Sequence, residues 1–142
     1  MRTAWAIVCA GWAMAACAAA RPVSEPPQLI LPEGDVQAGK RAFVTVGCAS
    51  CHSVEGVDGL PKPTVQPPVP IVFGRRQASR PTNARLVTAI VNPNIHISEA
   101  HKGELVRLGD GSRMSDFTRA LTVRELVDLV AFLQSTYDAS TR

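Results

Sequence analysis

The sequence is short of several things, and each shortage closes off a reading. Aromatic side chains make up only 5% of the 142 residues, few for a small domain that must find an apolar centre. Both tryptophans, Trp5 and Trp12, fall within the first twenty residues, as do Met1, Met14, Cys9 and Cys17. Beyond that segment only Met114, Cys48 and Cys51 remain of their kinds. No second C-x-x-C is present to supply the other half of a zinc site. Charge of one sign is not in excess: without Arg2, 14 basic side chains stand against 12 acidic ones. That balance is no nucleic-acid footprint, and docking must rest on local patches rather than on a strong overall field. The His, Asp and Ser residues show no hydrolytic motif of known spacing.

What is there begins with a leader. Residues 1–20 read as a secretory signal peptide: Arg2 gives a positive start, Ala4 to Ala16 is an uncharged apolar run, and small residues follow. The run is too short to span a bilayer comfortably. Two cut sites compete. Met14-Ala15-Ala16-Cys17 looks like a lipobox, which would make Cys17 a lipidated N-terminus and attach the chain to a membrane. Ala18-Ala19-Ala20 before Arg21 suits ordinary signal peptidase. Residues 21–33, rich in proline, carry no helical or strand period and read as an extended linker. One domain, residues 34–142, remains.

Within it, Cys48-Ala49-Ser50-Cys51-His52 spells C-x-x-C-H, the attachment signal for a c-type haem. Two thiols at this spacing can form thioethers to the two vinyl groups of one porphyrin, and the adjacent histidine is then held beneath the iron as proximal ligand. The competing readings are a thioredoxin-like pair, half of a zinc site and a structural disulfide.

Around the motif the chain organises itself into three helices. Asp35 caps the first, with Val36, Gly39, Phe43 and Val46 on or near one face, and Gly47 ends it. Gly39 costs that helix about 1 kcal/mol relative to Ala, a cost that close approach of another helix would offset. After His52 a stiff loop carries Pro61, Pro63, Pro67, Pro68 and Pro70. Pro70 is the candidate for the carbonyl that orients the proximal histidine through its other ring nitrogen. Arg75, Arg76 or Arg80 could pair with a haem propionate. Asn83 caps the second helix, turning Leu86, Val87, Ile90 and Val91 inward until Asn92-Pro93 stops it. His96 and His101 lie in a polar loop and read as exposed. Gly109-Asp110-Gly111 is a turn. Met114 then sits between Arg113 and Ser115, outside any apolar stripe, as the only thioether left to serve as distal ligand. Thr122 and Glu125 form a capping box for the last helix, whose apolar face holds Leu126, Leu129, Val130, Leu133 and Tyr137 and widens to Val123, Val127 and Phe132.

In this order the parts resemble a class I c-type cytochrome of the bacterial, single-haem, His/Met-ligated kind, over about residues 34–137. Gly39 and Phe43 before the haem motif match that family's first helix, and Phe132 in Val130-Ala131-Phe132-Leu133 matches the aromatic of the helix that crosses it. Val69-Pro70-Ile71-Val72-Phe73-Gly74 partly matches the family's G-P-x-L-x-G. Met114-Ser115-Asp116-Phe117 keeps the Met and Phe of its M-P-x-F but lacks the proline. The resemblance implies an all-α cytochrome c fold with three main helices wrapped around one covalent haem c and its iron. It also implies maturation outside the inner membrane, hence an exported, periplasmic protein, lipid-anchored if Cys17 is modified.

With both axial positions filled by His52 and Met114, iron can change oxidation state without binding substrate. The expected function is therefore single-haem electron transfer between a donor and an acceptor protein that dock transiently, with no enzyme activity of its own and no nucleic-acid partner. The alternatives are an electron-transfer subunit of a larger oxidoreductase, and a haem enzyme or sensor with an open or labile distal site.

Overall fold

A computed structural model describes residues 28–65, 72–74, 79–95, 97 and 106–138. The leader, Cys17, most of the linker, Pro70, Arg75, Arg76, His96 and His101 lie outside the described residues. Three helices dominate: α1 (Val36–Thr45), α2 (Asn83–Val91) and α3 (Val123–Asp138). The fold is mostly helical, as expected, but two short ladders were not foreseen. β1 (Ser53–Val54) pairs in parallel with β2 (Val72–Phe73), and β3 (Arg107–Leu108) pairs antiparallel with β4 (Gly111–Ser112).

α1 starts where its cap dictates. Asp35 Oδ1 accepts hydrogen bonds from the N–H groups of Gln37 and Ala38 at 2.7 and 2.9 Å, satisfying donors that a helix start leaves without partners. The face α1 buries is Gly39, Ala42 and Phe43. Val36 is exposed instead, because the crossing with α3 is centred on Gly39, one turn further along. A Cβ on Gly39 would come 1.9 Å from the Asp128 carbonyl oxygen and 2.7 Å from Phe132 Cβ. Hydrogen alone fits, so the glycine that weakens the isolated helix is what lets the two backbones touch. Phe43 and Phe132 then meet edge to face, ring centroids 5.6 Å apart, a geometry worth about 0.5–1.5 kcal/mol beyond the area buried.

Asp128 lies in the same crossing, 5% exposed. Its Oδ1 accepts the N–H of Asp35 at 2.9 Å and faces the Arg124 guanidinium at 3.5 Å. The Arg124 guanidinium also donates to the Glu33 carbonyl. A buried carboxylate is tolerated here because it is hydrogen-bonded and paired.

α3 carries the expected capping box: Glu125 Oε2 accepts from both the N–H and the hydroxyl of Thr122, whose Oγ1 accepts the Glu125 N–H in return. Val127, Leu129, Val130, Phe132 and Leu133 are buried, whereas Val123 in the first turn is exposed, before the helix reaches the core. α2 is capped by Thr82, not Asn83: Thr82 Oγ1 accepts the Arg85 N–H at 3.1 Å. The Asn83 side chain is engaged elsewhere, accepting from Gln134 Nε2 on α3. Leu86 and Ile90 are buried, Val87 and Val91 only half so, and the helix stops at Asn92 as read. Arg80 is bonded to Gln134 and paired with Asp138 on α3.

Candidate haem-attachment site

Gly47 links α1 to the motif. Its φ of +94° places it in the left-handed region that ends helices at little cost only for glycine. Among the described residues, apart from its chain neighbours, no atom lies within 4 Å of where its Cβ would be, so the requirement is one of backbone conformation. The chain reverses into a 3₁₀ turn, Cys48–Ser50. The N–H groups of Cys51 and His52 donate to the Cys48 carbonyl at 3.2 and 2.9 Å, and the Ser50 N–H and hydroxyl donate to the Gly47 carbonyl at 3.1 and 2.6 Å. Thr64 and Val65 tie back onto the turn through the Ser50 carbonyl. Ala49 is buried beneath, while both cysteines are half-buried and free.

His52 is buried, its ring 5.2 Å from the Phe73 ring at 55°. Phe73 stands edge-on to Phe43 as well, at 6.4 Å, so the histidine leans on an aromatic column continuing to Phe132. The parallel β1–β2 ladder brings Phe73 there, pairing Val54 with it directly after the motif. Tyr137 secures this segment from α3 through a hydrogen bond to the Gly74 backbone, and burial pushes its hydroxyl pKa up. Phe73 belongs to the Val69–Gly74 stretch, in which the sequence assigns it no role. The ladder that places it leaves no local pattern in the sequence.

Burial pushes the Cys48 thiol up to about 11. A dithiol built for redox exchange does the reverse, lowering one cysteine until it is partly thiolate at neutral pH. Among the described residues no group of three or more His, Cys, Asp or Glu side chains is arranged to hold a metal ion.

Met114 is half-buried and, like Cys48, Val54, Val57, Leu60, Phe73, Phe117 and Leu121, lies against the core cluster of Phe43, Ala49, Leu86, Ile90, Leu129 and Phe132. Motif and thioether thus meet one core from separate segments. A shallow depression of about 200 Å³ between Leu31, Arg80, Asn83 and Gln134 contains none of these site residues.

A family model described as Cytochrome c matches residues 36–137. The chain belongs to the cytochrome c family. No curated protein and no solved structure matched it. Membership implies covalently bound haem c with its iron and haem-based electron transfer. The residues fit that cofactor on their own chemistry: two free thiols and an imidazole in one hydrogen-bonded turn, beside apolar side chains that the protein covers only partly. Asn94, to which the sequence assigns no role, makes a contact near Met114. Its Oδ1 ties the β3–β4 hairpin, two residues before Met114, to the turn after α2, and the helix stop read at Asn92-Pro93 falls one residue short of it.

Proposed function

We propose that this cytochrome c domain is an exported single-haem electron carrier, with Cys48 and Cys51 as thioether attachment residues, His52 as proximal ligand and Met114 as distal ligand. The observation that carries the reading is the shared core: Cys48 and Met114 reach it from segments more than sixty residues apart. Bound at these residues, haem supplies a one-electron Fe(II)/Fe(III) couple. The chain's own side chains set the conditions. Phe73 restrains the His52 ring, and the apolar surroundings of Cys48 and Met114 exclude water, which favours the less charged ferrous state together with a thioether ligand. The Pro70 carbonyl accepting from the other His52 ring nitrogen belongs to the same proposal.

Transient partners require only a small docking surface. Such a surface is expected to be of modest polarity, and Ile95, next to Asn94, and Leu108, on β3, are exposed apolar side chains that could belong to it. Export rests on the leader at residues 1–20, followed by the linker at 21–33 and the haem domain at 34–142. Among the described residues no helix is long and apolar enough to cross a membrane, and attachment would go through a lipid on Cys17. A mass spectrum in which the mature chain begins at unmodified Arg21 removes that anchor.

The deciding experiment is near-infrared absorption of the ferric holoprotein. A sulfur-to-iron charge-transfer band that disappears in Met114→Ala upholds the assignment. A native protein without the band overturns it and favours an open distal site, which carbon monoxide and peroxide binding would then reveal; a band that survives the substitution overturns it by assigning the sulfur ligand to another residue.

A further inference from the structure

From Gly111 to Thr118 the chain contains no proline, so no residue around Met114 has its φ fixed covalently. Hydrogen bonds hold it instead. Asn94 Oδ1 accepts the Ser112 N–H at 2.8 Å, Ser112 Oγ accepts the Met114 N–H at 3.0 Å, and the Arg113 N–H donates to the Val106 carbonyl at 2.9 Å. The fit is close: a Cβ on Gly111 would stand 3.2 Å from Asn94 Oδ1. Asn94 lies in the turn after α2, separated from it by Asn92 and Pro93, and α2 is anchored in the core by Leu86 and Ile90. An unbroken path therefore runs from the core through α2, the Asn94 carboxamide and the Ser112 hydroxyl to the backbone of Met114.

We infer that Asn94 and Ser112 are positioning residues for the Met114 sulfur, acting in series to hold the thioether ready for iron. The inference rests on the reading of Met114 as distal ligand. A thioether is a neutral, weak ligand, so its bound fraction is sensitive to the conformational freedom that the loop must lose on ligation. Cutting one surface hydrogen bond in the path should shift the bound–unbound equilibrium about three- to tenfold. The Asx turn in which Asp116 Oδ1 accepts from the N–H and hydroxyl of Thr118 holds the far side of the loop and is left intact.

The test titrates the full-length ferric holoprotein with imidazole, which competes with Met114 for iron, and follows loss of the near-infrared band. Asn94→Ala and Ser112→Ala should each bind imidazole about three- to tenfold more tightly. Because the two residues act in series, Asn94→Ala combined with Ser112→Ala should gain little over either alone. Ser112→Thr, which keeps the hydroxyl, should behave as the native protein. Unchanged imidazole affinity in both alanine variants overturns the inference, as does a lowered melting temperature with no change in affinity, which marks a structural role only. Those results leave the native band in place. Absence of that band from the native protein defeats the Met114 reading itself and the inference with it.

Discussion

The turn carrying Cys48, Cys51 and His52 grows out of the most tightly packed part of the molecule, whereas Met114 follows a hairpin held by a few bonds near the surface. On the first side, Gly39 lets α1 touch α3, Phe43 and Phe132 interlock, and Gly47 aims the chain into the motif. The stabilisation there is spread over buried side chains, each worth about 1.5–3 kcal/mol when removed from water. On the second side, the fixing elements are Asn94, Ser112 and the Asp116 turn. Each such bond is worth about 0.5–1.5 kcal/mol net, because water can replace either partner. The lesson is one of separability: the turn of Cys48 and His52 is coupled to folding, while the distal ligation proposed for Met114 should weaken with the fold intact.

Gly39→Ala should break the comparison most severely. With the Asp128 carbonyl oxygen 1.9 Å from the new Cβ, the neighbour is backbone and cannot swing aside. The helices must part, at more than the about 1–3 kcal/mol usual for overpacking. The expected outcome is loss of recoverable haem-loaded protein, checked by covalent haem content after expression. Phe132→Ala comes next, removing a fully buried ring at the same crossing and costing about 3–5 kcal/mol in urea unfolding. Asp128→Ala should cost less, about 1–3 kcal/mol, chiefly by leaving the Asp35 N–H without its acceptor. Asp128→Asn, which retains an oxygen there, should recover most of that loss. If the two sides are separable, Asp128→Ala lowers the urea midpoint while imidazole affinity stays at the native value. A parallel rise in imidazole affinity would show that distal ligation depends on the helix crossing after all.

The same division governs how much could be read from the chain alone. Caps, capping boxes and helix stops are written in neighbouring residues, so Asp35, the Thr122–Glu125 pair and Asn92-Pro93 were legible. Gly39 was legible too, because a glycine inside a helix asks for a close neighbour. Thr82 and Asn83 are adjacent capping types, and what separates them is Gln134, fifty-one residues further on. The parallel β1–β2 ladder joins segments on either side of a proline-rich loop, and the β3–β4 strands are too short to show alternation, so only the turn between them was visible. Asp128 carried an unused signal: a single charge between Val127 and Leu129 on an apolar helix, placed where only a crossing helix start could use it. Asn94 and Ser112 meet through space alone, and no spacing rule announces such a pair.

The smallest expected effect lies in the cap of α1. Two backbone N–H groups, from Ala38 and Gln37, hold the Asp35 carboxyl below its ordinary value of 3.8. A carboxylate whose pKa is depressed on folding adds stability that is fully present above the unfolded value and is lost as pH falls through the folded one. Acidifying from pH 6 to below about 4 should therefore weaken the start of α1, measurable as a falling urea midpoint. Asp35→Asn keeps an oxygen to accept the same N–H bonds but has no proton to gain, so its urea midpoint should fall less over that range. Because Asp35 is exposed and partly screened by solvent, the difference should be slight beside any change at Gly39 or Phe132. Its place in the chain gives it meaning nonetheless, for the Asp35 N–H is the donor that Asp128 holds. If acid loosens this cap while the near-infrared band of the ferric protein stays, the fraying stops short of the distal loop, and the two sides are independent even at their edges.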